Sequence, residues 1–202
     1  MKQIIEKLSE PFPHLIVENM YNEEELKLIW EELTFLTKPN KLLEPKNYFG
    51  ATAATKSKGL ILDEHYNKRE LSNILTISRK LFDGGYLNIF SQIAAHCKNA
   101  PYGNYDITKV RYYENGDEYS SHWDIKFEYM ACNYFYKEPK FFNGGELFFP
   151  EYNYEFDCKN NSMIIFPTYV QHGVKKIILE EKSFLTGNGR YCITQFTKNI
   201  QK

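Results

Sequence analysis

The most chemically suggestive stretch of the chain is Tyr119-Ser120-Ser121-His122-Trp123-Asp124. In an extended segment, side chains two apart face the same side. His122 and Asp124 are therefore expected to present an imidazole and a carboxylate to one point. A third donor is offered by His172, which follows the apolar run Met163-Ile164-Ile165-Phe166. Two histidines and one carboxylate on one face of a metal suit iron(II) and leave coordination positions open. Taken alone, an H-x-D spacing reads more simply as a solvated His–Asp pair, so its neighbours must decide.

Those neighbours come at consistent intervals. Tyr113 and Tyr119 flank Gly116 just ahead of His122. Gly144-Gly145-Glu146-Leu147 forms a double-glycine entry to a strand, and Arg190-Tyr191-Cys192-Ile193-Thr194-Gln195-Phe196 reads as a late core strand that opens on a base. Near the start, Pro11-Phe12-Pro13-His14-Leu15-Ile16-Val17 leads into a helical pattern. With these features the chain resembles the 2-oxoglutarate- and iron(II)-dependent dioxygenases, in particular their prolyl 4-hydroxylase-like branch. The resemblance spans about 107–197, together with the opening at 12–36.

That resemblance implies that His122, Asp124 and His172 hold iron(II), and that Arg190 anchors the distal carboxylate of 2-oxoglutarate. It marks Tyr134, Tyr113 and Thr194 as further candidate co-substrate contacts. Thr194 shares the Arg190 face of the last strand, but Tyr113 and Tyr134 could equally be core aromatics in a chain with 16 tyrosines. The interval between His172 and Arg190 is longer than usual for the family, with residues 177–184 reading as an extra hairpin. Lys175 and Lys176 therefore compete for the anchoring role, although neither begins a core strand.

The activity implied is hydroxylation of an amino-acid side chain, in a protein, a peptide or a free amino acid, with release of succinate and CO2. Iron(II), 2-oxoglutarate and O2 are the implied cofactors and co-substrates, with ascorbate supportive. A small natural-product intermediate is an alternative substrate. A halogenase would lack the carboxylate ligand, a place that Asp124 fills. A non-catalytic jelly-roll binding module would be free to lose the triad or the anchor, and this sequence keeps both.

The elements that must position these residues fall into two parts. Residues 14–18 read as a strand, and Asn22 with Glu25 forms a capping-box pattern that opens a helix. Leu26, Ile29, Trp30, Leu33 and Leu36 continue that helix as one apolar stripe until Pro39. Residues 38–66 show no clear period and read as a long surface segment. Its Lys38, Lys41, Lys46, Lys56 and Lys58, with Tyr48, Phe49 and Tyr66, make it a candidate substrate loop. Two helical patterns follow, one over Leu71–Phe82 and one over Leu87–Ala94. From about residue 105, strands are expected at 107–113, 120–126, 129–137, 145–149, 162–167, 170–178 and 190–197. The spacing of short aromatic strands between turn signals points to a sandwich or jelly roll. The fold expected is mainly β, a double-stranded β-helix core flanked by about three helices. The whole of 1–202 is expected as one domain, with helical support and substrate loop in 1–100 and jelly-roll core in 105–198.

Composition narrows the remaining possibilities. The formal charge is -1, so no global field attracts nucleic acid or anionic lipid. No run approaches the roughly 20 apolar residues that span a bilayer, and the first residues lack an apolar signal segment. A cytoplasmic protein with a small-molecule or peptidyl substrate is the expectation, with no nucleic-acid or membrane partner. Cys97, Cys132, Cys158 and Cys192 form no C-x-x-C pair and read as reduced structural thiols. His14, His65 and His96 read as surface or capping histidines, Trp123 as a packing residue, and Gly144-Gly145 as a bend needing backbone freedom.

Overall fold

The computed structural model describes residues 2–38, 41–47, 55–180 and 186–200. Thirteen strands are found among these residues, numbered in chain order: β1 (Ile4–Leu8), β2 (His14–Glu18), β3 (Lys58–Ile61), β4 (Tyr105–Tyr113), β5 (Tyr119–His122), β6 (Tyr129–Phe135), β7 (Phe142–Gly144), β8 (Leu147–Phe149), β9 (Tyr154–Phe156), β10 (Ser162–Pro167), β11 (His172–Val174), β12 (Ile177–Leu179) and β13 (Arg190–Lys198). A seven-stranded antiparallel sheet runs β1-β2-β10-β6-β13-β4-β3. Facing it is a four-stranded sheet, β5-β11-β8-β9, and β12 pairs with β7 as a short ribbon.

The central strands β6 and β13 are buried almost throughout because both faces of the large sheet are covered. Alternate residues serve two cores. Tyr191 and Ile193 pack on the helical side with Leu15, Ile29 and Leu33, while Cys192 and Phe196 enter the space between the sheets with Tyr134, Leu147 and Phe166. The period-2 geometry of a strand thus joins a helical support and a jelly-roll interior through one shared sheet.

Helix α1 (Glu23–Leu36) starts as its sequence predicts. The Asn22 side chain accepts from the Glu25 amide at 2.9 Å, and the Glu25 carboxylate accepts from the Asn22 amide at 2.8 Å. Ile29, Leu33 and Leu36 form its buried stripe, and Trp30 meets Tyr191 edge-on at 5.6 Å between ring centroids. The other helices among the described residues are short: α2 (Leu62–His65), α3 (Asn73–Ile77), α4 (Lys80–Asp83) and α5 (Tyr86–Ser91). The single pattern over 71–82 is broken into α3 and α4. There the Ser78 hydroxyl donates to the Leu75 carbonyl, and Gln195 of β13 donates to the Ser78 carbonyl. A local side-chain bond and a tertiary one thus engage backbone carbonyls at the break, while the Leu81 amide reaches the Ser78 carbonyl only in a tighter turn.

Other expectations need correction. The segment 38–66 is not one irregular loop, since β3 adds to the edge of the large sheet and α2 follows it directly. Pro39, Asn40 and 48–54, including Tyr48 and Phe49, lie outside the described residues. The strand expected over 120–126 ends at His122, and the one over 170–178 divides into β11 and β12, which belong to different sheets. Ile177–Leu179 pairs with β7, and 181–185, which include the rest of the expected hairpin, lie outside the described residues. His14 is buried, not superficial, with its Nδ1 2.8 Å from the Phe12 carbonyl and its Nε2 3.2 Å from the Tyr154 hydroxyl. Trp123 is 51% exposed, so it packs little. No helix among the described residues is long and apolar enough to cross a membrane.

Leu33 is fully buried between α1 and the sheet. Leu33→Ala is expected to cost about 2–5 kcal/mol of stability, read as a lower urea midpoint at an unchanged slope.

Candidate metal and co-substrate site

His122 ends β5 and His172 begins β11, and the two residues are register partners across the small sheet. Both rings are oriented in the same way. The Nδ1 of His122 lies 2.9 Å from the Ser120 carbonyl, and that of His172 lies 2.9 Å from the Val170 carbonyl. A carbonyl only accepts, so each Nδ1 carries the proton and each Nε2 turns its lone pair inward, the arrangement found in metal-ligating histidines. Asp124 lies just beyond the end of β5, so strand alternation alone does not place it. Its amide donates to the Thr168 carbonyl, and its own carbonyl accepts from the Phe127 amide. This turn carries the carboxylate back over the imidazoles.

The Asp124 Oδ2 stands 3.6 Å from the His122 Nε2 and 3.4 Å from the His172 Nε2. One donor atom from each of the three residues falls within a span of 4.8 Å. Burial opposes the charge on Asp124, but the two imidazoles outweigh it and hold the carboxyl well below the usual carboxylate range. The group is thus an anion throughout the neutral range, as a metal ligand must be. Phe166 lies against His172 at 5.1 Å, and the Tyr119 ring stacks on His122 at 3.9 Å.

The same cavity continues between the sheets to Arg190. Register sets its lining in rungs. Arg190 lies opposite Tyr113; Cys192 lies opposite Arg111 and Tyr134; Thr194 lies opposite Cys132 and, outside the lining itself, Lys109. Arg190 is 1% exposed. Its Nη1 donates to the Gly145 carbonyl and contacts the Cys158 sulfur at 3.4 Å, and its guanidinium lies 4.5 Å from the Tyr113 ring centroid. Its Nε and Nη2 have no hydrogen-bond partner, and neither has the Tyr134 hydroxyl. Burial pushes the Tyr134 phenol up, so it remains a neutral donor.

Leaving a buried guanidinium with two vacant donor positions is costly. A carboxylate matches that fork, which makes the dicarboxylic 2-oxo acid a fitting occupant and the His–Asp–His set a fitting seat for iron(II). Gly144 and Gly145, both at positive φ, bring the Gly145 carbonyl to Arg190. At Gly144 a Cβ would meet the Lys176 carbonyl at 2.1 Å, so no larger residue fits this bend.

All seven candidate residues line this one cavity: His122, Asp124, His172, Arg190, Tyr134, Tyr113 and Thr194. The Thr194 hydroxyl also meets the Cys192 sulfur at 3.4 Å. The competing bases are elsewhere. Lys175 pairs with Glu155 at 2.6 Å on the surface, and Lys176 is exposed. The sequence singled out for this site neither Arg111, which lines the cavity, nor Lys109 behind its wall, nor the Cys158 that touches Arg190. Counting back by twos from Tyr113 would have found the first two. Cys158 enters only through the fold.

No protein-family model and no curated protein matches this chain in sequence. In structure it resembles a prolyl-4-hydroxylase from Pseudomonas putida, at 13% identity and TM-score 0.59, covering 93% of each chain. It is similarly close to the viral collagen prolyl hydroxylase of Paramecium bursaria Chlorella virus-1 in its 2-oxoglutarate complex, at 13% identity and TM-score 0.59, over 93% of this chain and 96% of that one. A third likeness is a Trichoplax adhaerens prolyl hydroxylase bound to a peptide fragment of the hypoxia-inducible factor oxygen degradation domain. Identity there is 14% and TM-score 0.58, over 91% and 82% of the two chains. The chain has the jelly-roll fold of these proteins.

His122→Ala, Asp124→Ala and His172→Ala are each expected to abolish Fe(II) or Co(II) binding in calorimetry while keeping the wild-type far-UV spectrum. Wild-type metal affinity in any one of them would exclude that residue as a ligand.

Proposed function

We propose that this protein is a 2-oxoglutarate- and iron(II)-dependent dioxygenase that hydroxylates an amino-acid side chain, in a protein, a peptide or a free amino acid. One observation carries the reading: a single cavity holds a His–Asp–His donor set at one end and a buried, incompletely satisfied arginine at the other. His122, Asp124 and His172 would hold the iron, and Arg190 the distal carboxylate, with Tyr134, Tyr113 and Thr194 beside it. When bound, the metal and 2-oxoglutarate supply the oxidising power, with O2 consumed, succinate and CO2 released, and one oxygen atom delivered to the substrate.

The chain's own groups then have defined tasks. The Ser120 and Val170 carbonyls fix the imidazole orientation before metal arrives, so little reorganisation accompanies binding. Arg190, held by the Gly145 carbonyl, offers its remaining donors in a fork that selects a planar carboxylate. The phenol of Tyr134 can donate to the same anion. Phe149 and Phe166 wall His172 off from water, with ring centroids at 6.5 and 5.1 Å from it. Asp124 occupies the position that a halide would need, which favours hydroxylation over halogenation. The peptide held by the Trichoplax protein supports a peptidyl substrate.

The test is incubation with iron(II), ascorbate and 2-oxoglutarate, measuring succinate and scanning amino acids and peptides by mass spectrometry for a gain of one oxygen. Absence of 2-oxoglutarate-dependent succinate under these conditions would overturn the reading. With chloride present, the product is expected to be hydroxylated, and a chlorinated product would contradict the role given to Asp124. Arg190→Ala breaks a buried ion pair with the co-substrate, a loss of about 3–5 kcal/mol. The apparent KM for 2-oxoglutarate should therefore rise well over tenfold, and an unchanged KM would remove Arg190 as the anchor.

A further inference from the structure

The interior face of β4 carries two more bases, Lys109 and Arg111, at alternate positions below Tyr113. Both are buried, at 5% and 6% exposure. Arg111 lies over the Tyr119 ring at 4.5 Å, on the side of the cavity that leads to His122. Lys109 belongs to the next rung, opposite Thr194, one step further from Arg190. Its ammonium lies 4.7 Å from the Phe196 ring centroid and makes no hydrogen bond or ion pair among the described residues. Around it stand Arg111 on its own strand, Asp124 and Lys126 from the turn beyond β5, and Glu64 from α2. Glu64 is exposed, and Asp124 belongs to the metal donor set.

The stem is covered, yet the ammonium itself is not an enclosed atom, so an incoming anion can reach a charge that no carboxylate among the described residues pairs. The co-substrate does not need it, because Arg190 already supplies a fork at the closed end. Lys109 lies one rung beyond Arg111, with its ammonium against Phe196 of the cavity wall and Asp124 among its charged neighbours. We propose that Lys109, reinforced by the neighbouring positive charge of Arg111, recognises a carboxylate on the substrate close to the carbon that is oxidised. The substrate is then an acid: a free amino acid held by its α-carboxylate, or a peptide presenting an Asp or Glu side chain. Exposed Trp123 and Ile125, on either side of Asp124, offer apolar contact for the rest of the molecule. This inference rests on the iron and 2-oxoglutarate reading above.

The test uses the full chain with Mn(II) in place of iron and saturating 2-oxoglutarate, and acetate and acetamide as probes. Proton relaxation of each methyl group reports how close the probe comes to the metal. Wild type is expected to relax acetate at least fivefold more than acetamide. Lys109→Arg should keep this preference, as should Lys27→Met on the exposed face of α1. Lys109→Met, which retains an apolar stem over Phe196, should lose it. Equal relaxation of the two probes by wild type, or an undiminished acetate preference in Lys109→Met, would overturn the proposal alone. Failure of wild type to bind Mn(II) or 2-oxoglutarate would overturn the underlying reading as well. Turnover then separates the sources of the carboxylate. Preference for free amino acids over their carboxamides identifies an α-carboxylate, and preference for capped Asp or Glu peptides over their Asn or Gln counterparts identifies a side chain. No preference for the acid in either series would overturn the proposal.

Discussion

The burial of Arg190 constrains the rest of the site. A guanidinium taken out of water needs its donors met, and here the protein meets only part of the set. The Gly145 carbonyl takes one donor, the Tyr113 and Tyr134 rings offer their faces, and Nε and Nη2 remain open toward the cavity. The double-glycine bend follows from this arrangement, since the β7–β8 connection must turn sharply enough to aim a carbonyl at Arg190. So does the position of β13 between β4 and β6, which surrounds the charge with rungs of side chains from three strands. The fold spends stability on a charge that a carboxylate can complete, so binding of such an anion would be coupled to the order of the interior.

At the other end, the three candidate metal donors are held by strand termini and a turn. His122 and His172 are register partners with matching Nδ1 contacts to backbone carbonyls, so the small sheet sets their separation and orientation together. Asp124 is positioned independently, through the Thr168 carbonyl. The three donors thus sit where the sheet ends, with one side backed by Phe149 and Phe166 and the other facing the exposed Trp123 and Ile125. A rigid back and an open front would suit the proposed site, which has to hold a metal firmly and admit a separate substrate.

Charge is graded along the cavity. Arg190 and Arg111 line it on adjacent rungs of the large sheet, with Lys109 on the next rung behind Phe196, opposite a donor set that contains one carboxylate. A divalent metal would add to this positive character, so a dianionic co-substrate and an acidic substrate would balance the interior. The low dielectric of the space between the sheets makes that balance more consequential than it would be at the surface.

Much of this was legible in the sequence. The H-x-D pair, the later histidine, the base opening the last strand and the double glycine are local patterns, and local patterns survive in one dimension. The capping box and apolar stripe of α1 were equally plain, because cap chemistry and helical period depend on residues three or four apart. What the chain could not show depended on partners distant in sequence. Strand alternation suggested that Asp124 faces with His122, yet the strand stops first and a contact from Thr168 brings the carboxylate back. The pattern over 71–82 read as one helix because nothing nearby announces that Gln195 will take the Ser78 carbonyl. β3 was hidden in an aperiodic stretch and becomes a strand only through pairing with β4. Arg190, Lys175 and Lys176 are all bases near a strand end, and only the fold shows that Arg190 is buried in the cavity while the two lysines lie on the surface. The sequence by itself determined which groups were available for chemistry, because residue type and near-neighbour spacing are written in it. Only the tertiary structure decided which of those groups share one cavity, because that rests on register between strands and on burial.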